Sequence, residues 1–188
     1  LNGLFGRTTG AVQNTGAAAA AAYLAGAACA NLEMIQYHPT TAAISGKRAL
    51  LSEAARGEGG RLFVLRDGIR WYYMEEKYPE LKNLMRRECG QDTAWLDLTG
   101  VDKEVLSERL GDLTEFCREF LHRDPGREPI PVYPGIHYFM GGLYVDAAHR
   151  TTLRGLYAAG ECACQYHGAN RLGGNSLLGA IFGGYTAA

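Results

Sequence analysis

Glycine most constrains how this chain can fold, because 25 of its 188 residues, about 13%, are glycine and they lie in clusters. An average protein contains about 7% glycine. The clusters have no three-residue period, which excludes a collagen-like triple helix. Because glycine lets one backbone approach a neighbour closely, the clusters indicate tight packing against another backbone or a ligand, often a nucleotide.

The overall composition is that of a folded globular protein, with 47% apolar and 21% charged residues. The 19 basic and 20 acidic side chains give a formal net charge of −1. This balance excludes the strongly basic surface that nucleic-acid binding requires. No apolar run reaches the roughly 18 residues of a membrane-spanning helix, so none is predicted.

The five cysteines are an odd number and do not resemble the disulfide framework of a small secreted protein. Cys162 and Cys164 are too close in sequence for the usual zinc or thioredoxin spacing. We therefore expect reduced thiols in a cytosolic protein, and no metal site. The chain begins at Leu1 without a signal peptide, and we expect it to be a fragment.

The amino-acid composition changes twice along the chain. Both ends are rich in glycine and alanine, the middle is charged, and four prolines follow within residues 124–134, which predicts an extended linker. We predict a nucleotide-binding domain made of residues 1–41 and 134–188. Residues 42–133 would form a domain inserted between the two pieces.

Hydrophobic periodicity and turn signals predict the individual elements. In chain order these are a helix over 17–30, a strand over 33–40, a short helix beginning within 50–55, a hairpin of 61–65 and 69–74, a charged helix over 75–88, a strand over 93–98, helices over 102–110 and 112–122, a Gly-Gly hairpin over 136–146, a buried strand over 156–159 and a final helix ending at 188.

Polar side chains collect among the glycines at four places. They are His38; the group Ser52, Glu53 and Arg56; His137; and the loop from His167 to Arg171. Taken singly, each has an ordinary structural explanation, such as a core histidine or a helix-surface ion pair. Taken together, histidines, an arginine fork and a hydroxyl group would hold a small dicarboxylate, with imidazolium and hydroxyl donors on one carboxylate. Glu161, after a buried segment, could accept a hydrogen bond from a cofactor hydroxyl.

Six motifs occur in an order that closely resembles the flavoprotein subunit of succinate dehydrogenase and fumarate reductase. They are EMIQYHPT at 33–40, SEAARGEGG at 52–60, PIPV at 129–132, HYFMGG at 137–142, AAGE at 158–161 and HGANRLGGNSLL at 167–178. The last of these is highly specific, and the match covers nearly the whole chain. The resemblance implies a mixed α/β and α+β fold, in which pieces of a Rossmann-like FAD-binding domain flank an inserted α+β capping domain.

The resemblance also implies an activity and its residues. The protein would interconvert fumarate and succinate by hydride transfer with FAD. His38, Ser52, His137 and Arg171 would bind the C4 dicarboxylate, although the family usually has threonine at position 52. Glu53 and Arg56 would belong to a proton relay, and Glu161, Ser176 and Leu177 would contact FAD. Electrons would pass to an iron–sulfur subunit, and a membrane anchor could place the cytoplasmic protein peripherally on the inner face of the membrane.

Three departures from the family pattern qualify this expectation. The dinucleotide fingerprint G-x-G-x-x-G is absent, Thr15-Gly16 is not followed by the family's acidic residue, and the segment with the proton-donating arginine is absent between Met85 and Arg86. Arg86 or Arg87 could replace that arginine. We therefore expect that this chain alone neither holds FAD well nor turns over substrate. The alternatives are an L-aspartate oxidase, which shares most motifs, and a non-catalytic capping-domain fragment.

Overall fold

The computed structural model describes residues 2–76 and 93–188. It divides into two compact units. Unit 1 comprises Leu1–His38 and Ile136–Ala188, and unit 2 comprises Pro39–Gly135. Most of the charged helix predicted over 75–88, together with Arg86 and Arg87, lies outside the described residues. The assignment of the units to an FAD-binding and a capping domain stays a prediction.

The described residues form a succession of short helices and strands. In order they are α1 (Asn2–Phe5), α2 (Ala17–Leu24), β1 (Cys29–Ala30), β2 (Ile35–Ile44), β3 (Lys47–Leu50), α3 (Ala54–Gly57), β4 (Arg61–Arg66), β5 (Ile69–Trp71), α4 (Tyr73–Glu76), β6 (Ala94–Asp97), α5 (Lys103–Glu108), α6 (Gly111–Phe120), β7 (Ile130–Phe139), β8 (Gly142–Leu143), a 3₁₀ turn (Gly160–Cys162) and α7 (Asn175–Ala187).

Unit 1 owes its shape to small residues and close backbone contacts. The alanine-rich helix α2 ends at Leu24, earlier than predicted, and Gly26 follows with a left-handed φ of 101°. A Cβ atom on Gly141 would overlap the backbone carbonyl of Asn31, and one on Gly142 would overlap that of Cys162. The two glycines therefore allow these backbone segments to approach each other closely. The prediction of a hairpin over 136–146 is wrong, because β8 pairs with β1 instead.

Unit 2 contains most of a six-stranded sheet whose strand order is β3-β2-β7-β6-β4-β5. Strand β4 pairs antiparallel with both β5 and β6, and β6 pairs antiparallel with β7. The predicted β4–β5 hairpin is confirmed, and Asp67 and Gly68 at its turn both have positive φ. These angles suit the primed turns that follow the twist of a hairpin.

The core of unit 2 forms where the sheet meets the two amphipathic helices α5 and α6. Its buried side chains include Leu62, Leu96, Leu113, Cys117 and Ile130. The predictions of helices over 102–110 and 112–122 are confirmed in type and place. Leu106 of α5 and, four residues apart in α6, Leu113 and Cys117 are buried in this core, where burial contributes about 25 cal/mol per Å² of apolar area.

The proline-rich stretch is more regular than its composition suggests. Residues 130–134 belong to strand β7, whose register with β6 pairs Val132 with Ala94 and Ile130 with Leu96. Burial of Ile130 and Val132 explains why the segment joins the sheet in spite of Pro131 and Pro134, since the φ of proline is compatible with extended backbone. The strand predicted over 156–159 is reduced to a bridge between Arg150 and Tyr157.

Asp97, at the end of β6, is a buried charge whose hydrogen-bonding capacity is filled within unit 2. Its carboxylate accepts hydrogen bonds from Arg70 at 3.1 Å, from the Tyr72 hydroxyl at 2.6 Å, and from the backbone and hydroxyl of Thr99 at 3.1 and 2.7 Å. Burial by itself would raise the pKa of Asp97, but bonds from Tyr72 and Thr99 and the charge of Arg70 outweigh it. The pKa is held below its ordinary value.

No helix in the described ranges 2–76 and 93–188 is long and apolar enough to cross a membrane. Among the same residues, Cys29, Cys117, Cys162 and Cys164 are free thiols.

Candidate functional site

His137 lies near the end of β7, in the part of the strand that belongs to unit 1. Its Nδ1 atom is 3.0 Å from the hydroxyl oxygen of Thr9. The ring of His38, at the end of the unit 1 part of β2, meets the His137 ring edge-on with 5.2 Å between centroids. The two histidines that the sequence singles out are therefore neighbours in unit 1.

Arg171 is a buried cation in unit 1, with 8% of the residue exposed. Its guanidinium lies over the Tyr138 ring, 4.7 Å from the centroid, and Nη1 donates to the Leu172 carbonyl at 3.2 Å. The Nε atom is buried and has no hydrogen-bond partner. A buried guanidinium with an unused donor is costly unless something else pairs with it, and an anion does so best.

The loop that carries Arg171 is held by Gln36 on β2. The Gln36 side-chain amide donates to the Arg171 carbonyl at 2.7 Å and to Asn170 Oδ1 at 2.8 Å. Its own carbonyl oxygen Oε1 is buried and unpartnered, as is Nε2 of His167. These two atoms and Arg171 Nε are buried polar atoms of unit 1 without a hydrogen-bond partner, and a bound ligand could supply one.

Burial shifts the pKa values of the rings near Arg171, and the charge of Arg171 modifies these shifts. Burial, followed by the charge of Arg171, lowers the pKa values of His137 and His167 below their ordinary value of 6.5. Burial also raises the pKa of Tyr138 to about 12, and the nearby Glu161 adds to this. The neighbours of the guanidinium are therefore neutral at pH 7, and the expected imidazolium at His137 is replaced by a neutral imidazole.

Glu161 sits in the 3₁₀ turn and accepts the backbone N–H of Phe139 at 3.0 Å. The residue is exposed overall, yet its carboxyl group is packed closely enough that burial raises its pKa above 4.5. The carboxylate has a second oxygen, which can accept a hydrogen bond from a ligand hydroxyl.

Ser176 and Leu177 lie in the first turn of α7, after Gly174 with its left-handed φ of 80°. No side chain caps this helix, and Leu177 is 67% exposed. Uncapped N–H groups, an apolar side chain and the acceptor Glu161 fit a cofactor that has polar hydroxyl or phosphate groups and a flat apolar ring system. These residues thus fit a dinucleotide such as FAD.

Ser52, Glu53 and Arg56 lie in unit 2, at the start of α3. The Ser52 hydroxyl accepts the backbone N–H of Ala54 at 3.2 Å, and Glu53 forms an ion pair with Arg56 at 3.3 Å. Arg56 Nε is buried without a hydrogen-bond partner. The structure thus brings the two predicted relay residues together within unit 2.

The sequence analysis did not single out three residues that contact the predicted site residues of unit 1, namely Thr9, Gln36 and Tyr138. Gln36 and Tyr138 stand inside quoted motifs, beside His38 and His137, which was the available signal. Thr9 gave none, since 128 positions separate it from His137. Within the residues that the structure describes, no group of three or more His, Cys, Asp or Glu side chains could hold a metal ion.

Comparison with known proteins gives a consistent result. The family described as "FAD binding domain" matches residues 2–177. The succinate dehydrogenase flavoprotein subunit of Bacillus subtilis is 43% identical over 201 residues, which cover 98% of this chain and 34% of the relative. An L-aspartate oxidase of Streptomyces coelicolor is 41% identical over 189 residues, covering 93% of this chain and 32% of the relative.

A solved structure shares the fold. The chain superimposes on a mutant FrdA of E. coli quinol fumarate reductase with a TM-score of 0.85 and 30% identity, covering 99% of this chain and 36% of that one. The described residues therefore have the mixed helix and strand architecture of that flavoprotein. The chain spans about a third of the length of the curated relatives it matches.

Proposed function

The chain belongs to the FAD binding domain family, and we propose that its protein is a flavoprotein oxidoreductase that interconverts fumarate and succinate. The proposal is supported by relatives named as succinate dehydrogenase and fumarate reductase flavoprotein subunits, at 43% and 39% identity. FAD is the cofactor that the family implies. Unit 1 would be part of a Rossmann-like FAD-binding domain, with segments near 1–41 and 134–188, and residues 42–133 would be the inserted capping domain.

The observation that carries the proposal is the incomplete pairing of Arg171. Its guanidinium is buried over Tyr138, with Nε unpartnered, beside rings that are neutral. A carboxylate of a C4 dicarboxylate would accept two parallel hydrogen bonds from the guanidinium fork and neutralise its charge. Substrate binding would thus offset the free-energy cost of a buried guanidinium that is incompletely hydrogen-bonded.

The chain's own residues would bind and polarise the substrate. Arg171 and the neutral ring of His137 would donate to carboxylate oxygens, and His38 and Ser52 would complete the set of substrate ligands that the resemblance implies. When fumarate accepts a hydride at one alkene carbon, negative charge grows toward the opposite carboxylate. Donors already in place stabilise that charge without reorganising.

The proton that completes reduction would come through the Glu53–Arg56 pair. The ion pair is partly shielded, since Arg56 is half-buried and its Nε atom is fully enclosed. Glu53 would take a proton from solvent and Arg56 would pass it toward the substrate carbon that did not receive the hydride. These two roles, like that of Ser52, rest on the resemblance of the motif at 52–60.

FAD would supply the two-electron chemistry, as hydride donor or acceptor. Glu161 would accept from a cofactor hydroxyl while holding the Phe139 N–H, and the α7 residues Ser176 and Leu177 would contact the cofactor through backbone N–H groups and an apolar side chain. An iron–sulfur subunit would exchange electrons with the flavin. A membrane anchor would then place the protein on the cytoplasmic face of the membrane.

A second function is favoured by one observation, the 41% identity to an L-aspartate oxidase. That name implies oxidation of an amino dicarboxylate, which the same arginine and histidine could bind. Met140 before Gly141-Gly142 and the approach through Ile130-Pro131-Val132 favour the fumarate reaction.

One assay separates the two functions. The complete protein, loaded with FAD and called the FAD-loaded protein below, is given fumarate with reduced viologen, and in parallel L-aspartate in air. We expect fumarate-dependent oxidation of the viologen and no hydrogen peroxide. Peroxide formed from L-aspartate, without turnover of fumarate, would replace the proposal by the oxidase. Inactivity of protein that retains bound FAD in both assays would refute both.

A further inference from the structure

Thr9 contacts His137 although it lies in a loop near the other end of the sequence. Its hydroxyl oxygen is 3.0 Å from Nδ1 of the ring, and both residues belong to unit 1. The backbone beside this contact is fixed independently, because the Thr9 N–H donates to the Ile136 carbonyl at 2.9 Å and the Ile136 N–H donates to the Arg7 carbonyl at 2.9 Å. The hydroxyl is therefore not needed to hold the loop in register.

The direction of the Thr9 hydrogen bond follows from the competing acceptor. The other oxygen near the hydroxyl is the Ile136 carbonyl at 3.4 Å, at the long end for a hydrogen bond. That carbonyl already accepts the Thr9 N–H at 2.9 Å, and the Thr8 hydroxyl lies 3.0 Å from it and 2.9 Å from Asn2 Oδ1. Because Nδ1 of His137 is nearer, at 3.0 Å, and the carbonyl already accepts one hydrogen bond, the better acceptor for the Thr9 proton is Nδ1.

Because the His137 ring is neutral, the direction of this hydrogen bond determines which of its nitrogens carries the proton. Burial, with the charge of Arg171, lowers the pKa of His137, so the ring is neutral near pH 7. Among the described residues, Arg171 is the charged group that lowers the pKa of His137, and the titratable ring of His38 meets the His137 ring edge-on. A neutral imidazole has one donor and one acceptor nitrogen, so a ring that accepts at Nδ1 carries its proton on Nε2.

We propose that Thr9 is a positioning residue that fixes His137 as the Nε2–H tautomer, so that the ring offers a donor to a substrate carboxylate. The inference rests on the proposed function, because it gives a further residue of that same anion site. Without the hydroxyl, the proton would distribute between the two nitrogens. An Nδ1–H ring would turn an acceptor toward the carboxylate oxygen and repel it.

The test uses the FAD-loaded protein with Thr9→Val and Thr9→Ser. Valine keeps the branched shape and removes the donor, whereas serine keeps the donor. Thr151→Val is the matched control, because the Thr151 hydroxyl is likewise part-buried and donates within its own turn, to the carbonyls of Leu153 and Leu156. Long-range ¹H–¹⁵N spectra of ¹⁵N-histidine protein report the tautomer directly, with the His137 signals assigned by their loss in His137→Gln.

We expect the Nε2–H pattern in the substrate-free wild type, in Thr9→Ser and in Thr151→Val, and a mixed pattern in Thr9→Val. The KM for fumarate should rise about tenfold in Thr9→Val and stay within about twofold in Thr9→Ser, in keeping with the loss of one hydrogen bond. An Nδ1–H pattern in the wild type, or a Thr9→Val protein with the wild-type tautomer and KM, would overturn the proposal.

The two readouts keep this inference separate from the proposed function. The spectra are recorded without substrate, so they report the Thr9 contact whatever reaction the protein catalyses. A wild type with the Nε2–H pattern but no fumarate turnover would refute the function and leave the assignment of the tautomer supported. If Thr9→Val fails to fold, the wild-type spectrum and the KM of Thr9→Ser decide.

Discussion

Asp97 in unit 2 and Arg171 in unit 1 are buried charges with the same 8% exposure, yet their surroundings differ. Asp97 receives four hydrogen bonds from Arg70, Tyr72 and Thr99. Arg171 has an aromatic ring on one face, one bond to a neighbouring carbonyl and an idle Nε. Burial alone therefore does not distinguish the two charges, whereas the number of hydrogen bonds that each one makes does, and the unused donor of Arg171 is consistent with its proposed role in binding an anion.

The comparison also indicates which property each of the two charges affects. A fully paired buried charge is costly to disturb, since removing one partner leaves the others unsatisfied in a medium of low dielectric constant. An incompletely paired charge already carries part of that cost, and a bound anion relieves it. Substitutions at the two residues should therefore act on different quantities, stability for Asp97 and ligand binding for Arg171.

The largest effect is expected at Arg171. In Arg171→Lys the positive charge stays but the planar fork is lost, so kcat/KM for fumarate should fall about 10²- to 10³-fold. The melting temperature should stay nearly unchanged, because among the described residues the guanidinium donates one hydrogen bond, and lysine keeps a positive charge near the Tyr138 ring. Steady-state kinetics with reduced viologen and thermal unfolding measure the two quantities. Full activity in Arg171→Lys would show that the guanidinium does not hold substrate.

The second effect is expected in the stability of unit 2. Asp97→Asn removes the charge that Arg70, Tyr72 and Thr99 surround, and should lower the free energy of unfolding by about 2–4 kcal/mol. Urea unfolding measures it, with Asp67→Asn as the control, because Asp67 is exposed in a turn that tolerates asparagine at positive φ. The dissociation constant for fumarate should not change in either variant. If Asp97→Asn bound fumarate more weakly and Asp67→Asn did not, Asp97 would affect ligand binding as well as stability. The difference between Asp97 and Arg171 would then be lost.

The smallest effect is a difference in pH dependence between Asp97 and Glu161. Because the pKa of Asp97 is depressed, its contribution to stability is present above about pH 4 and is lost as pH falls through the folded-state pKa. Burial raises the pKa of Glu161, so stability should instead decrease as pH rises from about 4.5 through its folded-state pKa. The two carboxylates thus contribute slopes of opposite sign.

Urea unfolding of Asp97→Asn and Glu161→Gln between about pH 3 and 7 tests this opposition. The first variant should lose less stability than the wild type toward acid, and the second should lose less as pH rises through the mildly acidic range. Curves parallel to that of the wild type in both variants would mean that neither carboxylate titrates differently on folding.

Local signals predicted the elements that depend on neighbouring residues. The Asp67-Gly68 turn, the helix over 112–122 and the start of α7 are of this kind. Pairing between distant segments was not readable. Proline content hid strand β7, whose place depends on the pairing of Ile130 with Leu96 in the core. The close approach of Gly141 to Asn31 likewise depends on backbones that are far apart in sequence.

The candidate site shows the same division. The motifs supplied His38, His137 and Arg171, and the structure adds the ring contact between the two histidines and the effect of the Arg171 charge on His137. The neutral state of His137 could not be predicted, since it depends on burial and on the charge of Arg171. The anchoring of the Arg171 loop by Gln36 also required the folded chain, because 135 positions separate the two residues.

The most direct test of the proposal that Arg171 binds the substrate carboxylate is a titration of FAD-loaded protein with fumarate. The flavin absorbance is recorded during the titration. The wild type and Asp97→Asn should show the same saturable change. Arg171→Gln should show none at the concentrations that saturate the wild type, while melting at nearly the same temperature. An Arg171→Gln protein that binds fumarate as tightly as the wild type would contradict the account.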